Sequence, residues 1–169
     1  APVTLIEFTD FECPYCSMFH AETFPRIKAT FIDSGRLRFG QRQMPLPSHK
    51  NASVAAHAAI CAGEQGRYWD LSEMMFSRSR CLSCQGVLEL SKAVDLDRKA
   101  FEACMSSGKH LGQIQSDIQT AKELKIEGTP SFVLGKSTST GVNGIVVNGF
   151  LPYDQFEKRI QAVLSAGGS

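Results

Sequence analysis

Two cysteines stand two residues apart in Cys13-Pro14-Tyr15-Cys16, directly after the apolar run Val3-Thr4-Leu5-Ile6-Glu7-Phe8. Thiols on one helical turn can close a small disulfide and open it again, and the unbonded N–H groups of a helix N-terminus favour a thiolate there. Such a thiol falls from ~8.5 into the range ~3.5 to 7.5, where it is both a ready nucleophile and a good leaving group. The spacing points to thiol–disulfide exchange carried by the protein itself, with no bound cofactor. The competing readings are a permanent disulfide or half a zinc site. Zinc would need Cys13 and Cys16 joined with Cys81 and Cys84, whose distance along the chain far exceeds the ~15 to 20 residues of a zinc ribbon.

Glu7 precedes Cys13 by six positions and shares a strand face with Val3 and Leu5. An unpaired carboxylate on that face is costly, and desolvation would raise its pKa towards that of a working acid or base, which suits proton transfer to or from Cys16. The opposing reading is a carboxylate at a strand end that reaches solvent or a lysine. His20, His49, His57 and His110 show no ligand spacing, so no metal is expected. His20, four residues after Cys16, is expected to face solvent. Phe11 and Tyr15 are candidates to border an apolar substrate groove.

The elements that must hold these groups follow from periodicity. Residues 3–8 are apolar on both faces apart from Glu7 and predict a buried central strand. Helix starts at Pro14, and Phe24, Ile27 and Phe31 give it an apolar stripe as far as Ser34-Gly35, with a kink at Pro25. A second strand covers residues 36–40 and ends before Met44-Pro45-Leu46-Pro47. From Asn51 to about Lys125 the pattern is helical, with Val54, Ala58 and Cys61 on one face of a first segment and Trp69, Met75 and Phe76 in a second. Strands return at residues 131–134 and 144–147 around a hairpin turn, and a last helix, Tyr153 to Leu164, carries Phe156, Ile160, Val163 and Leu164 onto the sheet. A β-α-β half, a helical block and a β-β-α half predict an α/β chain with a thioredoxin fold and an inserted helical subdomain. Residues 1–50 and 126–169 form the discontinuous thioredoxin-like domain, and residues 51–125 form the insertion.

With 169 residues, a net charge of +1 and charges of both signs evenly scattered, the chain offers no basic face for nucleic acid or anionic lipid. No apolar run approaches the ~20 residues that span a bilayer. Ala1-Pro2 runs straight into the first strand, which suggests that a leader or membrane anchor is absent from this chain. Six cysteines, at 13, 16, 61, 81, 84 and 104, fit an oxidising compartment.

Four segments together carry a resemblance: Glu7-Phe8-Thr9-Asp10-Phe11-Glu12-Cys13-Pro14-Tyr15-Cys16, Met44-Pro45-Leu46, Cys61-Ala62-Gly63-Glu64-Gln65-Gly66 with Trp69, and Gly128-Thr129-Pro130-Ser131-Phe132. Over essentially its whole length the chain resembles the DsbA-like thioredoxin-fold thiol:disulfide oxidoreductases of the bacterial cell envelope. The resemblance implies that Cys13 is the exposed nucleophile and Cys16 the resolving thiol one turn inside. It implies a cis proline at Thr129-Pro130 facing the pair, with Pro14 and Tyr15 beside it, so that a client lies across the groove as an added strand. It also implies an extracytoplasmic location in the periplasm or cell envelope and client proteins with cysteines. The redox partner would be a membrane quinone-linked oxidase of the DsbB or vitamin K epoxide reductase type, or else a reductase.

Cys61 and Cys104 fall in stretches similar to the family's helical block, and the resemblance supports pairing them as a structural bridge. The residues alone leave three connectivities open for the four remaining cysteines. Cys81-Leu82-Ser83-Cys84 departs from the family pattern. It reads as a local structural bridge, with a second redox centre or partners for Cys61 and Cys104 as alternatives. Pro14-Tyr15 looks more like glutaredoxins than like the strongest oxidases, and Thr129 is similar to isomerase and reductase members. Disulfide isomerase or reductase therefore stands beside dithiol oxidase, and a redox-inert peptide-binding module of the same fold is the alternative from another class.

Overall fold

In a computed structural model, residues 1–79 and 82–167 are described, without the side chains of Ser83 and Cys84. The expectations for Cys81 and Cys84 lie outside the described residues. The sheet has four strands in the order β2-β1-β3-β4, with β1 spanning Val3–Thr9, β2 Leu37–Gln43, β3 Ser131–Ser137 and β4 Val142–Asn148. β2 runs parallel to β1, and β3 and β4 follow as an antiparallel pair. Placing β1 between β2 and β3 satisfies its backbone on both edges and explains why an apolar run with so little alternation occurs there. The register sets Glu7 beside Gln41 of β2 and Phe132 of β3.

The first helical run begins with α1 (Pro14–Met18), resumes as α2 (Phe24–Ile27), and has π-helical turns at Phe19–Thr23 and Lys28–Ile32. The expected kink at Pro25 takes this form. Wide turns on either side let Pro25 sit in the opening turn of α2, where its missing N–H leaves no bond unmade. Between β2 and β3 come α3 (Ala52–Gly63), α4 (Tyr68–Ser77), α5 (Leu82–Gln85), α6 (Val87–Leu90), α7 (Arg98–Ser107) and α8 (Leu111–Glu123), and α9 (Tyr153–Ser165) follows β4.

One face of the sheet packs Val3, Leu5, Phe132 and Leu134 against Phe19, Ile27, Phe31, Phe156 and Ile160 from the first helical run and α9. The opposite face places Phe8 and Val133 against Ala121 of α8 and Ile126. The helices between β2 and β3 have a core of their own, built around Ala55, Ala58, Ala59, Leu71, Met75, Phe76 and Phe101, and this core includes Phe11, Cys13 and Cys16.

Two expectations for this block are corrected. Val54 and Trp69 are 48% and 42% exposed, and α3 buries its alanines instead, because small side chains let neighbouring helices approach closely. Phe11 does not border a groove. It is fully buried, with its ring centroid 4.7 Å from that of Phe76. Cys61 of α3 and Cys104 of α7 form a disulfide, as the resemblance implies. Among the described residues no helix is long and apolar enough to cross a membrane.

Candidate active site

Cys13 occupies the N-cap of α1 in extended conformation, with Pro14 as the first helical residue. The Cys13 thiol donates to the Thr129 carbonyl at 3.3 Å. Ionisation is eased chiefly by the Cys16 thiol, which donates to the Cys13 sulfur; burial works against it, and Thr129 together with the N–H groups of Cys16 and Tyr15 adds to the lowering. The outcome moves Cys13 from its ordinary 9.0 to about 6. Cys16 moves the other way, pushed well above the usual thiol range by burial, by Cys13 and by the charge of Glu7. One sulfur is thus a ready thiolate and its neighbour, one turn inside, keeps its proton.

The Thr129–Pro130 peptide bond is cis, as the resemblance implies. Pro130 is buried and its carbonyl accepts from the Gly149 N–H at 2.9 Å, which ties the loop to the end of β4. The Thr129 hydroxyl is buried without a partner while Cys13 is a thiol. Pro14 and Tyr15 project beside the pair, Tyr15 being 58% exposed. A cleft of about 590 Å³, lined among others by Glu12, Pro14, Met18 and Phe76, runs away from this corner. The expectation of an exposed Cys13 needs correction, since the residue is only 5% exposed. The Thr129 carbonyl and the apolar core of the inserted helices pack against it.

Glu7 is completely buried. Its Oε2 accepts from the Gln41 Nε2 at 2.8 Å and lies 2.8 Å from His20 Nε2, whereas Oε1 has no partner. Tyr68 donates its hydroxyl to Gln41 at 2.8 Å and accepts from Gln43 Nε2 at 2.6 Å, which extends the network across β2 into α4. Burial, with the Glu7 charge behind it, pushes the Tyr68 hydroxyl far above its usual range.

His20 does not face solvent as expected. Its side chain is 7% exposed and stacks on Phe76 with ring centroids 4.0 Å apart. The signal was present in the sequence: His20 lies one turn after Cys16 on the helix face that is buried, and Glu7 needed a partner.

The loop before Cys13 carries groups that sequence reasoning missed. Asp10 accepts from the N–H groups of Glu12 and Leu46, both at 2.8 Å, and contacts His49 Nδ1 at 2.8 Å. Glu12 accepts from the Asn51 side chain at 2.7 Å. Burial alone would lower His49, but the Asp10 carboxylate outweighs it, aided by the charges of Cys13 and Glu12, and the imidazole titrates above its ordinary value. These contacts brace the redox turn against the segment that leads into α3.

A family model described as Thioredoxin matches residues 1–162. The chain belongs to the thioredoxin family. It is similar to the Na(+)/H(+) antiporter NhaA 3 of Salinispora tropica, at 32% identity over 100% of this chain and 24% of the antiporter. It is also similar to disulfide bond formation protein D of Bacillus subtilis, at 25% identity over 97% of this chain and 73% of that protein. The chain spans about a quarter of the length of the antiporter relatives it matches.

Among solved structures, Wolbachia pipientis alpha-DsbA1 T172V superposes with a TM-score of 0.85 at 23% identity, covering 98% of this chain and 87% of that one. Oxidised BdbD of Bacillus subtilis superposes with a TM-score of 0.82 at 24% identity, covering 98% and 89%. The fold is therefore the DsbA-like variant of thioredoxin, with helices inserted between β2 and β3.

Proposed function

We propose that this thioredoxin-family chain is a thiol:disulfide oxidoreductase that introduces disulfides into exported proteins through Cys13 and Cys16. The observation that carries the reading is the opposite displacement of two neighbouring thiols, Cys13 down to about 6 and Cys16 well up. In the oxidised enzyme a client thiolate attacks Cys13 Sγ, forming a mixed disulfide and expelling Cys16, which takes up a proton. A second client thiolate then attacks the client sulfur of the mixed disulfide and releases Cys13 as a thiolate. Two electrons have passed from client to enzyme, and the client holds the new disulfide.

Glu7 serves as the proton carrier for Cys16, because its charge is felt by that thiol and its buried Oε1 is left without a partner. Thr129 and Pro130, with Pro14 and Tyr15, form the substrate edge, where an extended client segment pairs with the free backbone of the loop. The division of residues 1–50 and 126–169 from 51–125 separates the unit that carries the chemistry from the helices that wall it. Reoxidation falls to a membrane quinone-linked oxidase of the DsbB or vitamin K epoxide reductase type, and the setting is the periplasm or cell envelope. The likeness to disulfide bond formation protein D supports the direction of transfer.

The test is the equilibrium of the Cys13–Cys16 pair with glutathione, read beside oxidation of a dithiol peptide. A potential well above the glutathione poise, with stoichiometric peptide oxidation, is expected. A potential at or below that poise makes the chain an isomerase or reductase, and inertness in both assays makes it a peptide-binding module.

A further inference from the structure

The Cys61–Cys104 disulfide lies in an unusual setting for a structural staple. His57 stands one helical turn before Cys61 on α3, only 4% exposed, with Nε2 3.8 Å from the Cys61 sulfur. That nitrogen accepts a long hydrogen bond, 3.4 Å, from the His110 N–H, so it is the ring atom that carries the lone pair. His57, Cys61 and Cys104 have ligand atoms all within 4.8 Å of one another, and so do Glu64, Cys104 and His110. Cys104 is common to both sets. His110 Nε2 lies 2.7 Å from Glu64 Oε1 at a rim that is partly open, with side-chain exposures of 22% and 37%.

We propose that reduction of the Cys61–Cys104 disulfide creates a zinc site built from Cys61, Cys104 and His57, with the fourth place filled from the rim by His110 or Glu64. Zinc takes four donors in a tetrahedron from thiolate sulfur, imidazole nitrogen and carboxylate oxygen, with ligand distances of ~2.0 to 2.3 Å, and this set with its rim ligand matches in type and number. The i, i+4 spacing of His57 and Cys61 puts both donors on one helix face. A dithiol reductant supplies two electrons and two protons to the Cys61–Cys104 bond and leaves as its own disulfide. Zinc then displaces both thiol protons and is held by two thiolates. The disulfide and the metal exclude each other, since the closed bond offers no thiolate, and each ties α3 to α7. The protein thus keeps the same helix pair joined under oxidising and reducing conditions, by a covalent bond in one and by a metal in the other.

The experiment uses the full chain with Cys13, Cys16, Cys81 and Cys84 all replaced by serine, so its result is independent of the proposed redox activity. The reduced protein, titrated with cobalt(II) without oxygen, should take up one equivalent with a thiolate-to-metal charge-transfer band, which zinc then displaces. The oxidised protein should bind none. His57→Ala, and the shape-preserving His57→Gln should the first variant unfold, should weaken binding at least about tenfold. No uptake by the reduced form, equal uptake by the oxidised form, or equal affinity in the His57 variants would overturn the proposal. If the reduced protein loses its fold without metal, recovery on adding zinc supports the site, and indifference to zinc overturns it.

Discussion

Glu7 Oε2 and His20 Nε2 lie 2.8 Å apart inside the protein, between the central strand and the helical run that carries Cys16. The buried carboxylate therefore has a titratable neighbour as well as the Gln41 amide, and its charge bears on the Cys16 thiol. This coupling links the chemistry at the sulfurs to groups that no cysteine touches.

Replacing Glu7 by Gln removes the proton carrier while keeping the shape and a partner for Gln41. The rate of dithiol oxidation at neutral pH should fall by ~10²-fold or more. Cys16 should titrate lower, since one of the charges that pushes it up is gone. Single-turnover kinetics across pH, with melting temperature as the control, separates this from a folding defect.

Thr129→Val removes a hydroxyl that has no other partner and that helps hold the Cys13 thiolate. Cys13 should then titrate above its value of about 6. The ultraviolet absorbance of the thiolate, followed against pH in the reduced enzyme, reads the change directly.

The reduced enzyme should gain stability with rising pH. Cys13 has a folded value of about 6, below the ordinary 9.0 that the unfolded chain shows. The unfolded state therefore binds more protons between those values, so the contribution is complete above about 9, shrinks between about 9 and 6, and is gone once pH falls through about 6. The oxidised enzyme has no Cys13 thiol to titrate and lacks this slope. Denaturant unfolding of both forms at pH 5, 7 and 9 tests the difference. The same thiolate raises the reduction potential at pH 7 by up to about 30 mV.

Cys13→Ser should abolish turnover. Cys61→Ser should leave exchange chemistry intact but cost about 4 kcal/mol of stability, because the Cys61–Cys104 bond closes a loop with a sequence separation of 43. Urea denaturation alongside the peptide oxidation assay would show the separation of roles. Loss of turnover in Cys61→Ser with unchanged stability would refute it.

Much of this site was legible because its parts are local. The Cys13–Cys16 turn, the Thr129–Pro130 loop and the strand ahead of them are short motifs whose backbone demands show in residue type. His20, Gln41 and Tyr68 come from three elements: the register of β2 on β1 brings Gln41 to Glu7, while helix packing brings His20 to Glu7 and Tyr68 to Gln41. The inside of α3 was equally hard to read, since a helix with six alanines among its twelve residues looks apolar on every side. Val54 was assigned inward on that basis, and tertiary packing chose the alanines. The near-complete burial of Cys13 depends on a loop 116 residues away in sequence, which no local pattern encodes.

The chain has a single tryptophan, Trp69, held edge-on to Tyr68 with ring centroids 4.9 Å apart. Tyr68 donates to Gln41, and Gln41 donates to Glu7. A shift of charge at the carboxylate therefore reaches the indole through two intervening side chains. The protein carries its own optical gauge, and its emission should report each turnover without an added label.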